Sequence, residues 1–467
     1  MTTVVAPAPS GWVLADPTPW DLTPVGADRP DAVCAGLREL HERTVAYFEV
    51  AGRLASSSGA AEAEVVARAI SLGASTGCPV VGVIRSVAVD PGPDGIAALA
   101  AWGKVAVAAV RASGVVPILL AVTGPVHGSL TPLLGLADHL VLTRDATTYV
   151  SGPGPVKAVT GIDVDPVMLG GAAVHAGVSG LAALIAEDPD DAVDALSDLL
   201  DHLPDNNLGE PPSHRGPDPV ERRCERAAAI VPGEASRAYD VREVLSDVVD
   251  ADSLLEIHAE HAPALITAYA RIGGRSVAVI ANQPGVRAGT LDIEASVKGA
   301  RHVQRADSFG LPIVTFVDTP GYQPGKDLEA RGMIRHGASL VHAYAEATVP
   351  RLCVILRKAY GGAYIVMDSR TMGSDLVLAW PGAEIAVMGP AGAVEILHRG
   401  QTDPLRRAEL EADYRETFCT PRLAAERGLV DGVIDPADTR RALAAAVKRL
   451  RTKRSPAVHR KHSNPPL

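Results

Sequence analysis

Aromatic residues are scarce, making up 4% of the 467 residues, with four Phe and four Trp. That excludes a core built on large rings and leaves burial to Ala, Val, Leu and Ile within a hydrophobic fraction of 47%. Cysteine is also rare. Cys34, Cys78, Cys224, Cys353 and Cys419 show no short paired spacing, so a zinc ribbon or a disulfide framework is excluded. They read as small buried hydrophobes or bystanders. Basic charge is outnumbered: 44 Lys and Arg against 55 Asp and Glu give a net charge of −11. A general nucleic-acid coat is thereby disfavoured, while a local basic site for an anionic cofactor stays open. Long apolar runs are missing. The most apolar stretch, Val115 to Val126, is broken by Pro117, Gly124 and Pro125 and is too short to span a bilayer. The start, MTTVVAPAPSGW, lacks the basic and apolar regions of a secretory signal. The expectation is a globular cytoplasmic protein with no membrane or nucleic-acid partner.

What the chain does contain is a long internal repeat. GCPVVGVIRS begins at Gly77 and GLPIVTFVDT at Gly310, an offset of 233. VPILLAVTGPVHGS begins at Val116 and VPRLCVILRKAYGG at Val349, the same offset. VSGPG at Val150 then pairs with VMGPA at Val387, an offset of 237. Three agreements in one order predict two related halves, 1–225 and 235–467, a duplication far longer than any solenoid period. Between them, PDNNLGEPPSHRGPDPVERRCERAAAIVPGE is rich in Pro, Gly and charge and reads as a surface connector. The carboxyl tail, RTKRSPAVHRKHSNPPL, reads as a solvated basic segment.

Each half repeats one local grammar. Short β-branched runs, VVGVI from Val80 and IVTFV from Ile313, fit buried parallel strands. Ala-rich segments from Ile96 to Gly114 and from Arg335 to Thr348 carry apolar residues at helical spacing and serve as crossovers. The result is an α/β layered domain, present twice.

The strand RLCVILRK runs into AYGGAYIVMD, placing Gly361 and Gly362 where strand should give way to helix. Glycine there lets the backbone turn and a ligand approach the amides. Free N–H groups at a helix start favour developing negative charge on oxygen. The first half places Gly128 and Ser129, in TGPVHGSLTP, in register with that pair. One duplicated fold thus offers two candidate oxyanion holes, against the plainer reading of tight strand–helix packing. Other motifs fall away. PGYQPGKD is one residue short of a phosphate loop, and Asp327 stands where Ser or Thr should hold magnesium. His258 and His261 could pair on a helix, but no third metal ligand is evident, and no metal is expected. No GxSxG elbow is present, and Cys353 falls in a buried-looking strand. With no acid–base pair on the glycine loops, the substrate or cofactor is expected to bring its own base.

These loops carry a resemblance. The run ANQPG…GTLDIEASVKGARHVQRADSFGLPIVTFVDTPGYQPG…RKAYGGAYIVM…DLVLAWPGAEIAVMGPAGAVEILHRG resembles the carboxyltransferase (β) subunit of biotin-dependent acyl-CoA carboxylases of the acetyl- and propionyl-CoA type. GPGPVKAVTGIDV, LPDNNLGEPP and YDVREVLSDVVDADSLLE agree with it. The likeness is strong from about Val150 onward, moderate from about Gly77 to Val150 and weak before that.

The resemblance implies tandem duplicated crotonase-like (ClpP/crotonase) domains and a homo- or hetero-hexamer. Active sites would lie between the first domain of one subunit and the second of another. It implies biotin, carried as carboxybiotin on a biotin carboxylase/biotin carboxyl carrier partner, and an acyl-CoA acceptor. It puts Gly361, Gly362, Ala363, Tyr364 and Ile365 on the biotin side, with the Gly362 and Ala363 amides catalytic. Arg85, Ser86, His127, Gly128, Ser129, Gly152 and Pro153 fall on the acyl-CoA side, with the Gly128 and Ser129 amides catalytic. Three departures stand out. Residues 85–90 read RSVAVD in place of the family's DSGGAR-like loop, Ser129 replaces a glycine and would be costly in a left-handed conformation, and Ile365 stands where propionyl-preferring members often carry Asp. They keep open a non-CoA acceptor, decarboxylation of a carboxylated thioester, or a non-catalytic subunit in a mixed complex. The chain has no AMKM-like biotinylation site and no ATP-binding signature, so it is not expected to complete an ATP-dependent reaction unaided.

Overall fold

The computed structural model describes residues 33–54, 59–89, 95–214, 216–453, 455, 458 and 460–466. The amino-terminal stretch read above, Asp90 and parts of the carboxyl tail lie outside the described residues. Two compact units emerge: Met1–Glu210 with His258–His261, and Pro211–Ile257 with Ala262–Leu467.

The first unit is built on strands β1 (Val33–Leu40), β2 (Arg43–Leu54), β3 (Val80–Val89), β4 (Ile118–Val122), β5 (Pro125–His127), β6 (His139–Thr143), β7 (Thr147–Tyr149) and β8 (Leu184–Ala186). Their order is β1-β2-β3-β4-β6-β8, with β5 between β3 and β7 as a second short layer. Only β1 and β2 run antiparallel. The parallel strands are apolar on both faces, as β4 shows with all of ILLAV buried, so helices must cover both sides. Helix Gly59–Thr76 is one of those covers, and helix Gly95–Ala112 packs against it. Phe48, Ile70, Ile84, Trp102, Ile118 and Leu120 fill the core between strands and helices.

The second unit repeats the plan with β9 (Leu255–Ile257), β10 (Leu265–Ile272), β11 (Arg275–Asn282), β12 (Ile313–Thr319), β13 (Arg351–Tyr360), β14 (Leu376–Ala379), β15 (Glu384–Ala386) and β16 (Gly432–Val433). The repeat extends to strand register. Val80 pairs with Ile118, and Ile313 pairs with Arg351, both members displaced by 233. Leu119 pairs with His139, and Leu352 with Leu376, displaced by 233 and 237. Even the antiparallel hairpins match, Val33 with Val50 and Leu265 with Asn282, each displaced by 232.

Three local expectations change. Residues 211–225, grouped with the first half from sequence, pack in the second unit, where Ser213 bridges Arg275 and the Cys224 amide donates to the Ala437 carbonyl. The connector is not all surface: Cys224 and Ala227 are fully buried in that unit's core beside Val244 and Leu245. His258 and His261 sit in a turn rather than a helix, with Nδ1 of His258 3.1 Å from the Ala182 carbonyl. Among the described residues no cluster of three metal-binding side chains occurs, and no helix is long and apolar enough to cross a membrane.

Candidate active site

In the second unit β13 runs ten residues, all buried, and ends at Tyr360. Gly361 then takes φ +59°, and helix Gly361–Val366 begins. A side chain at Gly361 would be strained by that left-handed backbone and would stand 3.2 Å from the Val387 carbonyl oxygen. Gly361, Gly362, Ala363, Tyr364 and Ile365 therefore lie on one short helix, with Gly362 exposed and Ala363 fully buried. Beside Gly362 lies the Tyr322 ring, 3.5 Å from where a Cβ would be. Tyr322 forms one wall of a cleft of about 360 Å³ with Met333, Ile334, Gly337 and Val341. Burial pushes the Tyr322 and Tyr364 hydroxyls up to about 12.

A network of buried charge anchors this turn from below. Asp318, at 0% exposure, sits at the end of β12 and accepts from Arg357 Nε at 2.9 Å and from the Tyr239 hydroxyl at 2.9 Å. The Lys358 amide donates to it at 3.2 Å, and Lys358 Nζ lies 3.7 Å away. Arg357 also donates to the carbonyls of Glu234 and Arg237, and Lys358 Nζ to that of Ala235. Burial lowers the Lys358 pKa, and Asp318 opposes that shift. One residue short of the glycine, Tyr360 donates to Glu384, which Arg415 also holds at 2.9 Å. Beyond the helix, Asp368 lies fully buried, 3.0 Å from Arg351, and burial lifts its carboxyl to about 7. Sequence reasoning missed all of these groups. The available signal was the pair Arg357–Lys358 inside an otherwise apolar strand, because charge there has to be partnered.

The first unit makes the same turn with different wiring. β4 stops at Val122, and β5 carries Pro125, Val126 and His127 to Gly128, whose φ is +85°. The left-handed conformation thus falls on Gly128. Ser129 lies next in the single 3₁₀ turn Gly128–Leu130, matching Gly362, which is not left-handed, so the strain expected of a serine does not arise there. His127 pairs across the ladder with Tyr149, and their rings sit 4.7 Å apart. Tyr149 in turn lies under Gly152, 3.2 Å from its Cβ position, and Gly152–Pro153 starts helix Pro153–Thr160. Gly389–Pro390 starts helix Pro390–Leu397 in the same way. His127, Gly128, Ser129, Gly152 and Pro153 are therefore brought together.

Arg85 and Ser86 take another course. The expected loop continues as strand through Val89, with Ala88 and Val89 pairing Arg53 and Leu54. Arg85 turns to Glu49 on β2 at 2.5 Å, a carboxylate that the Tyr47 hydroxyl also meets.

Residues 42–465 match the carboxyl transferase domain. The chain belongs to this family of transferases. It is 42% identical over 444 residues to the propionyl-CoA carboxylase carboxyltransferase subunit of Haloferax mediterranei, covering 94% of this chain and 86% of that one. The methylmalonyl-CoA carboxyltransferase 12S subunit of Propionibacterium freudenreichii subsp. shermanii is 45% identical, over 80% of this chain and 72% of its own. The methylmalonyl-CoA decarboxylase subunit alpha of Veillonella parvula is 40% identical, over 88% of this chain and 80% of its own. A transcarboxylase 12S crystal structure, described as a hexamer assembly with methylmalonyl-coenzyme A and methylmalonic acid bound, superposes with a TM-score of 0.90 at 38% identity, covering 96% of this chain and 89% of that one. The fold of this carboxyl transferase is thus the tandem crotonase-like arrangement.

Proposed function

We propose that this carboxyl transferase moves a carboxyl group from carboxybiotin, borne by a separate biotin carboxyl carrier partner, to the α-carbon of a small acyl-CoA such as acetyl- or propionyl-CoA. One observation carries the reading. Both halves turn from strand to helix at register-matched glycines, Gly128 and Gly361, each with a left-handed φ at the first residue of a helical turn. Amides fixed in this way stabilise an oxyanion without reorganising.

In the second half the Gly362 and Ala363 amides would hold the ureido oxygen of biotin. The exposed Gly362 and the adjoining apolar cleft suit a compact bicyclic ring. When bound, carboxybiotin supplies the carboxyl group and, once that has left, a ureido nitrogen basic enough to take an α-proton. In the first half the Gly128 and Ser129 amides would hold the thioester oxygen as it turns anionic, with Gly152 and Pro153 bordering that site. Tyr364 and Ile365 flank the biotin side, and the apolar Ile365 leaves the acyl pocket without a carboxylate. The two turns would meet across a seam between copies in a hexameric ring. The domain assignment follows with the corrected boundary: an acceptor side in the unit that ends at Glu210 and a biotin side in the unit that begins at Pro211.

The test is a product-identifying assay with biotin carboxylase, biotinylated carrier and acetyl-, propionyl- or butyryl-CoA. Malonyl-CoA or its α-alkyl homologue is expected, and no carboxylated thioester from any of the three would sink the reading. The prolonged strand at Arg85–Val89, which replaces a glycine loop, supports a second reading in which the chain takes the carboxyl group off a carboxylated thioester. Loss of the carboxyl group from methylmalonyl-CoA, with none gained by propionyl-CoA, would select it.

A further inference from the structure

The residue just before each turn separates the halves chemically. Tyr360 is buried and committed, its hydroxyl donating to a carboxylate that an arginine also binds. Its register match is His127, and the match of Glu384 is Thr147, which has no carboxylate to offer. His127 is half-buried against the Tyr149 ring. Among the described residues no hydrogen bond or ion pair engages either of its ring nitrogens. Burial lowers its pKa, so the ring is neutral near pH 7 and keeps a lone pair that accepts a proton. Its backbone is extended, with φ −135° and ψ 163°, and it directly precedes Gly128 at the turn. Consecutive Cα atoms stand about 3.8 Å apart, so the imidazole is rooted one residue from the turn amides.

We infer that His127 is a proton-transfer residue of the first-half turn, and that this chain exchanges the α-hydrogens of an acyl thioester with solvent when no biotin is present. The inference rests on reading that turn as the thioester site. In the forward step an imidazole nitrogen forms a bond to the α-proton as the C–H bond breaks. The electron pair of that bond passes into an enolate whose oxygen faces the Gly128 and Ser129 amides. The imidazolium trades its proton with water and returns one to the α-carbon, restoring neutral imidazole and intact thioester. Nothing is oxidised or reduced, and no leaving group departs. The second half has no counterpart, because the Tyr360 hydroxyl is held on Glu384 and its pKa is raised further by burial and that hydrogen bond.

The experiment incubates the purified chain with propionyl-CoA in deuterium oxide, without carrier, and reads α-deuterium by mass spectrometry. Incorporation above a protein-free blank is expected, falling on the order of 100-fold in His127→Gln when both proteins are read at saturating propionyl-CoA, so that any change in affinity does not enter. Exchange no faster than the blank, or equal rates in the two proteins, overturns the inference. Carrier-dependent carboxylation measured on the same preparation separates the two levels. Carboxylation without exchange removes His127 as a proton carrier and leaves the carboxyl-transfer reading standing, whereas neither binding nor carboxylation of propionyl-CoA removes both.

Discussion

Two turns of one ancestry are held in opposite ways. Around Gly361 the second half has Asp318, Arg357, Lys358 and Tyr360, each buried and each partnered. At the matching positions the first half has Arg85, Gly124, Pro125 and His127, and its charged residue turns outward to Glu49 instead of clasping the next strand. The backbone course is shared while the wiring beneath it is not. Conformation at such a turn is therefore set by glycine and ladder register, and rigidity is a separate property added by buried charge.

The contrast can be broken most forcefully at the clasp. Arg357→Met strips the buried Asp318 of its main partner and should destabilise the second unit by about 3–5 kcal/mol in urea unfolding. The first-half counterpart, Arg85→Met, breaks a part-exposed pair and should cost about 0–1 kcal/mol. Equal losses would show that the two turns are supported alike. Next comes Gly361→Ala, which forces a side chain into a left-handed backbone close to the Val387 carbonyl. Carrier-dependent turnover should fall about 100-fold, as for the loss of one oxyanion donor. An unchanged rate would remove that turn from the chemistry.

A pH effect sharpens the same contrast. Where helix Gly59–Thr76 of the first half buries Val65, Val66 and Ile70, helix Ile293–Ser308 of the second buries Lys298, whose pKa burial lowers to about 7. An unfolded lysine titrates near ~10.4. Between those values the unfolded chain binds the extra proton, so this group's contribution to stability rises with pH from about 7 toward 10, and its penalty is full below about 7. Lys298→Met should raise stability at pH 7 and flatten that rise. A wild-type-minus-variant difference that does not vary with pH would refute it. The smallest effect belongs to Ser129→Gly, which should leave stability within about 0.5 kcal/mol, because the strained position is Gly128. A gain well above that would place the strain on Ser129 after all.

Much of this was legible in the chain. Strands from Val80, Ile313 and Arg351 announced themselves as β-branched runs, and constant offsets between the halves foretold matched ladders because register is inherited residue by residue. The turn glycines were legible for the same reason. Asp318 and Arg357 were not, since 39 residues separate them and only the parallel β12–β13 ladder brings them together. Arg85–Val89 misled in the other direction. The loop that the family carries here suggested that the strand ends at Ile84, but Val87 and Val89 continue the alternation, and β2 and β5 supply partners for it. The burial of Ala227 was hidden by a Pro-rich context that says nothing about which neighbours will cover it.

The ten buried residues of β13 have a consequence for how the protein breathes. A turn rooted in a wholly buried interior strand should open only with the unit around it, so the amides of β13 that lead into it should rank with the slowest to exchange hydrogen. The three-residue β5, which follows Gly124, is held by the equally short β7 and by β3 at Val87, so it has far less ladder to break. Should the two turns face the chemistry as proposed, the second half would be its anvil and the first its latch.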